Sequence, residues 1–320
     1  MEYSATPLIS FIVTVSNSSS EELTECLKSI LQLSLGAKER EIILVDDGSE
    51  DFMLNAVDSF KDNIIYIRQR KQGRAAARNT GLKMANGKYI QLINGGDTLL
   101  RAPYEHCLDI ARFHDPDIVF FTQTEKEDAE TPFEFCAPIS GSTYLHDNDL
   151  RTNACCYIFR YKLLLNLRFS TNLLNEDEEF TPQLFLRADK LVCTNSKAYC
   201  TSKDKEDKTK EQPKRTTLQS LGEKEHIIYN LQYVAEQLTP KDKVALRRRI
   251  AQLTLELIYD TITITRSSRH TEETISRLHT KGLFPLPDKN YDNKYRFLRK
   301  AINSKLGRKL LIINLPKRNN

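Results

Sequence analysis

Short apolar runs alternate with stretches of helical periodicity in the first part of the chain. The apolar runs are rich in β-branched and aromatic residues, as is typical of buried strands, and they fall at residues 8–15, 41–45, 64–67, 89–93 and 117–121. Between them, apolar residues at helical spacing predict helices between Ser20 and Gly36, near 51–60 and near 73–85. Alternating units of this length predict an α/β fold with a mostly parallel sheet flanked by helices.

The pattern changes further along the chain. Residues 123–150 are irregular, after which a strand is predicted for 154–159 and a helix for 161–167. Residues 202–215 are almost wholly charged or polar, which predicts an exposed linker. Long helical periodicities follow at 218–238, 241–265, 272–279 and 295–306. We therefore expect an α/β domain over residues 1–203, then a linker and a basic, all-helical extension over 204–320.

Charge is distributed unevenly, although the net charge is only +4. No acidic residue follows Asp292, whereas nine Lys and Arg do. Residues 294–313 mix these cations with bulky apolar side chains, a composition that suits the surface of an anionic membrane. A helix that packs on the α/β domain with its charges in water explains the same composition equally well.

Composition and cysteine usage narrow the class of protein. Apolar residues make up 40% of the chain and charged residues 28%, which argues against a disordered chain and a polytopic membrane protein. The seven cysteines form no C-x-x-C pair, which predicts reduced thiols and a cytoplasmic location. No signal-peptide pattern and no run of about 18 apolar residues occurs, so we expect any membrane contact to be peripheral.

Several common kinds of active site are not indicated. The six histidines are widely spaced and have no matching cysteine set, which argues against a zinc centre. The chain has no nucleophile elbow and no Walker loop. The loop after the first strand has the sequence SNSSS, without the glycines that a dinucleotide-binding loop needs.

Two acidic residues, Asp46 and Asp47, end the second predicted strand in the sequence VDDGS. Ligands of open α/β sheets bind beyond the carboxyl ends of the strands, where these side chains accept hydrogen bonds or bind a cation. The alternative is a turn at residues 47–49 with Asp51 capping the next helix.

The third predicted helix begins with GRAAARNTG, which combines small residues with Arg74 and Arg78. Small side chains let a ligand approach the helix, and the guanidinium groups suit the oxygens of a diphosphate. An amphipathic surface helix with solvated arginines is the alternative.

Several segments, in order and spacing, closely resemble glycosyltransferase family 2: SFIVTVSN, EIILVDDGSED and GRAAARNTGLKMANGKYIQLINGGDTLL, followed by ACCYIFRYKLLLNLRF and NEDEEF. The resemblance covers residues 7–203. It implies a GT-A fold, a nucleoside diphosphate sugar donor, a divalent cation and inversion at the anomeric carbon. It also divides the domain into a nucleotide-sugar-binding part, 1–122, and an acceptor-side part, 123–203.

The resemblance assigns roles to individual residues. It places Val15, Asn17, Asp46, Asp47, Arg74, Arg78, Asn94 and Gly96 around the nucleotide sugar, Asp97 at the metal, Glu176 on the acceptor side and Asp177 as the catalytic base. The family's metal signature, D-x-D-D, corresponds here to residues 94–97, NGGD, which lack two of its three acidic positions. A weakly held Mg²⁺ or Mn²⁺ is therefore expected. The alternative explanation for Asp177 is structural, because a negative charge at a helix N-terminus stabilises the helix.

The resemblance therefore implies an inverting, metal-assisted hexosyltransferase (EC 2.4 class). We expect it to move a hexose from a nucleoside diphosphate sugar, preferably a UDP-sugar, to a saccharide or lipid-linked saccharide in surface polysaccharide synthesis, either in the cytoplasm or at the inner face of the membrane. The degenerate NGGD leaves one alternative, a non-catalytic GT-A protein that binds a nucleotide sugar or a partner enzyme. No recognisable nucleic-acid-binding module accompanies the basic tail.

Overall fold

A computed structural model describes residues 6–50, 57–126, 132–202, 215–289, 291 and 293–315. The described parts of residues 1–141 and 151–205 form one compact unit, and those of 142–150 and 206–320 form a second. Most of the charged segment 202–215 and the first part of the helix expected near 51–60 lie outside the described residues.

The first unit contains an eight-stranded sheet in the order β3-β2-β1-β4-β7-β6-β8-β5. Its strands are β1 (Ile9–Val15), β2 (Arg40–Asp47), β3 (Ile65–Gln69), β4 (Tyr89–Asn94), β5 (Thr98–Leu99), β6 (Ile118–Thr124), β7 (Tyr157–Arg160) and β8 (Leu191–Cys200). The helices of this unit are α1 (Ser20–Leu31), α2 (Arg74–Met84), α3 (Arg101–Phe113) and α5 (Glu176–Leu186), and α4 (Gly141–Asp147) passes into the second unit. The predicted α/β fold class is confirmed.

Strands β1 to β4 form a parallel half of the sheet, as the apolar runs predicted. Every residue of β1 is buried, because this central strand has helices on both faces. Strand β7 runs antiparallel to both β4 and β6, which makes the sheet mixed. An antiparallel neighbour needs no crossover helix, so β7 can follow the irregular segment before it.

Close packing of α2 on β1 positions the segment that carries the two arginines. A Cβ atom at Gly81 would lie 2.3 Å from Ile12 Cγ2, so only glycine allows this approach. Ala77 and Leu82 are fully buried on the same helix. The small residues of the GRAAARNTG segment therefore bring a helix close to the sheet.

One predicted element is wrong. Instead of a helix over 161–167, the chain makes a single 3₁₀ turn at Tyr161–Leu163. Leu165 then adopts a left-handed conformation with φ 44°, which interrupts any helix at this point. The predicted strand at 154–159 also begins later, at Tyr157.

The second unit is helical, as predicted for the extension. Its helices are α6 (Arg215–Glu236), α7 (Pro240–Thr265), α8 (Ser268–Thr280), α9 (Asn293–Asn303) and α10 (Lys305–Asn314). The side chain of Arg248 on α7 holds the segment 142–150, since it donates to Asp149 Oδ1 at 2.9 Å and bonds the carbonyl of His146. Within the described residues, no helix has the length and apolar character needed to cross a bilayer.

Candidate active site

The predicted site residues lie at one edge of the sheet in the first unit. Val15 ends β1, Asp46 and Asp47 end β2, and Asn94 ends β4. These three strands are parallel neighbours, so their carboxyl ends meet at one edge. Asn17 follows β1, with an exposed side chain and a left-handed backbone at φ 58°.

Asp46 is buried at the end of β2 and is held by neighbouring protein groups. Its Oδ1 accepts the Ser49 N–H at 2.9 Å, and its Oδ2 accepts the Tyr66 hydroxyl at 3.0 Å. Burial, together with the negative charge of Asp46, raises the pKa of Tyr66 to about 12, so the phenol keeps its proton as a donor. Asn17 joins this loop, because its N–H donates to Ser49 Oγ at 3.1 Å.

Asp47 shapes the loop that leads into α2. Its Oδ1 accepts the Gln72 N–H at 2.8 Å and its Oδ2 accepts the Gly73 N–H at 2.7 Å. Gln69 donates a third hydrogen bond to Oδ1 at 2.8 Å. This carboxylate is only 2% exposed and thus fixes the start of the helix that carries Arg74 and Arg78. The chain bends after β2, because Gly48 adopts φ 69° and the Ser49 N–H bonds the Asp46 side chain, whereas Asp51, the predicted helix cap, lies outside the described residues.

The buried Asp97 and the partly buried Asn94 form a second pair at the end of β4. Asn94 Nδ2 donates to Asp97 Oδ2 at 2.9 Å, and the Tyr199 hydroxyl donates to the same oxygen at 2.6 Å. Tyr199 also accepts the Asn94 N–H at 3.1 Å, and the Ser202 N–H donates to Asp97 Oδ1 at 3.2 Å. Burial strongly raises the pKa of Tyr199, assisted by the charge of Asp97. The carboxylate is therefore held by neutral donors.

Residues 95 and 96 give the NGGD turn its tight path. A Cβ atom at Gly95 would lie 2.0 Å from Val15 Cγ1, so this position requires glycine. Gly96 and Val15 are both buried. The backbone of the turn therefore packs directly against the end of β1.

Arg78 is the centre of the charged cluster. Its Nη1 lies 2.5 Å from Asp177 Oδ1 and 3.2 Å from Glu176 Oε1, although the arginine is only 1% exposed. Burial opposes the charge of this guanidinium, but the two carboxylates outweigh that effect and raise the pKa of Arg78. Its guanidinium also lies 5.2 Å from the centre of the Phe169 ring.

Arg74 lies one helical turn earlier and makes a forked pair with Glu176. Its Nε is 2.7 Å from Oε1 and its Nη2 is 3.2 Å from Oε2. The Arg74 side chain remains 47% exposed, whereas that of Glu176 is 2% exposed. Arg74 therefore keeps a face towards solvent, unlike Arg78.

Asp177 is the accessible carboxylate of this cluster. Its side chain is 16% exposed, and its Oδ2 accepts the Ala154 N–H at 3.1 Å. It lies in the first turn of α5 among four consecutive acidic residues, so it also satisfies the structural alternative of a charge at a helix start. Both carboxylate oxygens are engaged, Oδ1 by Arg78 and Oδ2 by the Ala154 N–H, but each has a second lone pair and the side chain is partly exposed, so it can accept a proton from a bound hydroxyl.

A chain of hydrogen bonds connects Asp97 with Asp177. Asp97 bonds Asn94, whose Oδ1 lies 3.5 Å from Arg78 Nη2, and Arg78 bonds Asp177. The nucleotide-side residues meet this cluster at Gly73 and Arg74, because Asp47 bonds the Gly73 N–H. All eleven residues singled out in the sequence thus lie in the first unit along this edge of the sheet.

Some residues of this cluster carry no recognisable motif. Tyr199, on β8, is 102 positions away from Asp97 in sequence, and the Cys155 thiol lies 3.6 Å from Arg78 Nη2. A tyrosine on a strand is usually a packing residue, so no sequence signal indicated that this one contacts the site. Within the described residues, no three His, Cys, Asp or Glu side chains converge as ready-made metal ligands.

Comparison with known proteins identifies clear relatives. Residues 10–165 match the sequence profile described as Glycosyl transferase family 2. The chain is 26% identical over 160 residues to the minor teichoic acid biosynthesis protein GgaB of Bacillus subtilis. That alignment covers 47% of this chain and only 18% of GgaB.

Two solved structures share the fold. TarS 1–349 of Staphylococcus aureus, in complex with UDP-GlcNAc, gives a TM-score of 0.56 at 17% identity and covers 92% of this chain and 90% of its own. The mannosyltransferase PcManGT of Pyrobaculum calidifontis, in complex with GDP-Man and Mn²⁺, gives a TM-score of 0.57 at 14% identity. The match covers 96% of this chain and 87% of PcManGT. At these identities the likeness concerns the fold alone.

Proposed function

We propose that the protein is an inverting hexosyltransferase, because residues 10–165 match the profile of glycosyl transferase family 2 and the fold is of the GT-A type. Its donor is a nucleoside diphosphate sugar, preferably a UDP-sugar, and its acceptor is a saccharide or lipid-linked saccharide of a surface polysaccharide. The observation that carries the proposal is the hydrogen-bonded path from Asp97 through Asn94 and Arg78 to Asp177. The names of GgaB and TarS support the substrate class.

Asp177 is proposed as the general base. It accepts the proton of the acceptor hydroxyl as that oxygen forms a bond to the anomeric carbon, while the bond from that carbon to the diphosphate oxygen breaks on the opposite face. Inversion follows from this single displacement. Arg78 and the Ala154 N–H fix the orientation of the carboxylate.

The donor is proposed to lie along the strand ends. Val15, Asn17, Asp46 and Asp47 shape the nucleotide end, with Asn94 and Gly96 beside the ribose and diphosphate. The Arg74 side chain is 47% exposed whereas Arg78 is buried, so Arg74 is the cation better placed to contact the leaving diphosphate. Glu176 orients both arginines on the acceptor side.

The divalent cation that the family implies is assigned to Asp97. One carboxylate that already accepts three hydrogen bonds fits a weakly held Mg²⁺ or Mn²⁺, with most ligands supplied by diphosphate oxygens and water. When bound, such a cation neutralises charge on the leaving group. Asn94 and Tyr199 hold the Asp97 carboxylate in position for it.

The Asp177→Asn variant tests the base directly. We expect it to abolish transfer and to leave UDP-sugar binding nearly intact, because the amide cannot take the proton while the nucleotide residues are unchanged. Binding is measured by calorimetry and transfer by release of UDP in the presence of an acceptor. Full activity in the variant would remove the assignment.

Glu178→Gln is the matched control for Asp177→Asn. Glu178 lies in the same first turn of α5, so its neutralisation removes an equal charge from the helix start. The control should keep most of the activity if Asp177 acts as a base. An equal loss in both variants would favour the purely structural role.

The second candidate is a GT-A protein that binds a nucleotide sugar without turnover, and the absence of two acids in NGGD favours it. A donor hydrolysis assay separates the two candidates. Slow release of UDP from a panel of UDP-sugars with Mn²⁺ supports the enzyme, whereas binding without release for every donor and metal supports the binding protein.

A lipid-linked acceptor would place the enzyme at the inner face of the membrane. The nine Lys and Arg that follow Asp292, with no acidic residue among them in sequence, support a peripheral position there.

A further inference from the structure

Helices α9 and α10 are anchored to the second unit by one face. Tyr295 and Ile302 of α9 are buried, and Arg299 pairs with Asp288. Arg308 of α10 is 4% exposed and makes a forked pair with Glu272 of α8, at 2.8 and 2.9 Å. This face of the two helices therefore packs against the rest of the second unit.

The opposite face of both helices is exposed and mixes two kinds of side chain. Its large apolar members are 51% to 73% exposed. We call this surface the basic–apolar face; it consists of Arg296, Phe297, Lys300, Lys305, Leu306, Lys309, Leu310 and Ile313. On α10 the positions 306, 309, 310 and 313 follow helical spacing, so they form one continuous stripe.

All the charged side chains of the basic–apolar face are positive. The nearby acids Asp288 and Glu272 are held by the buried Arg299 and Arg308. Within the described part of the chain, none of the four cations of the basic–apolar face forms an ion pair with a carboxylate. Arg296 donates to the neutral Asn293 side chain, at 3.2 Å.

We infer that the basic–apolar face docks on an anionic lipid bilayer. The apolar side chains enter the boundary between headgroups and acyl chains, and the cations contact the lipid phosphates at the same depth. The helices lie in the plane of the interface and do not cross it. This inference does not depend on the proposed transfer reaction.

Two other occupants fit the surface less well. A symmetric contact with a second copy would place the cations of both chains against each other, which disfavours a dimer through this face. A nucleic acid would satisfy the cations through its phosphates, but it would leave four large apolar side chains in water. Anionic lipid satisfies both kinds of side chain at once.

The test uses the full chain and sedimentation with lipid vesicles. Vesicles of phosphatidylcholine alone are compared with mixtures that contain phosphatidylglycerol. We expect binding to the mixture, weaker binding as salt rises, and little binding to phosphatidylcholine. Binding that is equally strong to both kinds of vesicle would overturn the electrostatic part of the inference.

Two variants of the face separate its contributions. Lys300→Glu, Lys305→Glu and Lys309→Glu together should weaken binding to the mixture by at least about tenfold. Leu306→Ser, Leu310→Ser and Ile313→Ser together should weaken it without removing any charge. Circular dichroism and thermal unfolding check that both variants remain folded.

Matched controls change exposed residues elsewhere by the same chemistry. The triple variant Lys28→Glu, Lys38→Glu and Lys241→Glu alters the net charge equally, and Phe113→Ser with Tyr233→Ser removes exposed apolar surface. Both controls should bind as the natural chain does. Equal losses in controls and face variants, or a dimer that dissociates in the face variants, would overturn the inference.

Discussion

At the scale of single residues, each buried charge of the candidate site has a partner of stated geometry. Arg78 neutralises Asp177 and Glu176, and Asp97 is held by the hydroxyl of Tyr199 and the amide of Asn94. Removing one member of such a set leaves a buried polar group unsatisfied, which costs more than the bond itself contributes. Single substitutions can therefore reveal which contacts serve the reaction.

Tyr199→Phe should weaken the activation of the enzyme by Mn²⁺. The variant loses the donor to Asp97 Oδ2 and the acceptor of the Asn94 N–H, so the carboxylate is less well oriented. We expect a shift of Mn²⁺ activation to higher concentration and a loss of about 1–3 kcal/mol in unfolding free energy. Activity against Mn²⁺ concentration and urea unfolding measure the two effects.

Tyr104→Phe is the control for this experiment. Tyr104 is also fully buried, and its hydroxyl bonds Gln91 at 3.2 Å, away from Asp97. The Tyr104→Phe variant should have a lower unfolding free energy, while its activation by Mn²⁺ should equal that of the natural chain. If Tyr199→Phe also kept that response, Tyr199 would be only a packing residue.

The sequence identified the residues in motifs but could not identify their partners. Asp46, Asp47 and Asn94 follow apolar strands, and this position alone predicted that they share one edge of the sheet. Tyr199 and Cys155 come from strand β8 and the loop before β7, and only the folded chain brings them to Asp97 and Arg78. Their roles stay proposals until tested.

At the scale of elements, the parallel half of the sheet was predictable, whereas in the other half β6 and β7 were predicted and β5 and β8 were not. Strands β1, β2 and β4 are nearly continuous apolar runs because both faces are covered. Strand β8 instead buries polar residues such as Thr194 and Ser196, whose hydroxyls bond the carbonyls of Glu134 and Pro103. A strand whose polar side chains are satisfied by distant backbone shows no apolar run in the sequence.

Helix contacts in the second unit should depend on pH through Glu225 of α6. Burial alone would raise the pKa of this carboxyl, but hydrogen bonds from Arg277 and Tyr229 outweigh burial and lower it below its ordinary value of 4.5. A pKa lowered on folding means that Glu225 stabilises the protein above pH 4.5 and loses this effect as pH falls through the lowered pKa. Glu225→Gln should therefore destabilise the unit at neutral pH and much less in acid.

Urea unfolding at a series of pH values measures this effect. Glu25→Gln, at an exposed position of α1, serves as the control. The difference in unfolding free energy between this variant and the natural chain should not change with pH. A double variant with Arg277→Gln should lose less than the sum of the two single variants, because Glu225 and Arg277 contact each other at 2.9 Å. Strict additivity would contradict the proposed coupling.

At the scale of the whole molecule, the predicted site belongs to one unit and the basic–apolar face to the other. Each unit can therefore respond to its own ligand. A ligand that binds only the folded state stabilises it by mass action, by about 2.7 kcal/mol at a concentration one hundred times its dissociation constant. The proposed donor site predicts where that stabilisation appears.

Amide hydrogen exchange with UDP and Mn²⁺ should locate the response. We expect slower exchange at the ends of β1, β2 and β4, and little change in helices α6 to α8, because the nucleotide residues lie on those strands. Chelation of Mn²⁺ with EDTA should reduce the protection without abolishing it, since the cation is weakly held and Arg74 still contacts the diphosphate.

In the Asp97→Asn variant, protection by UDP should no longer depend on Mn²⁺. A Mn²⁺ effect that persists in this variant would assign the cation to other residues, and protection confined to α6 to α8 would reject the donor site itself.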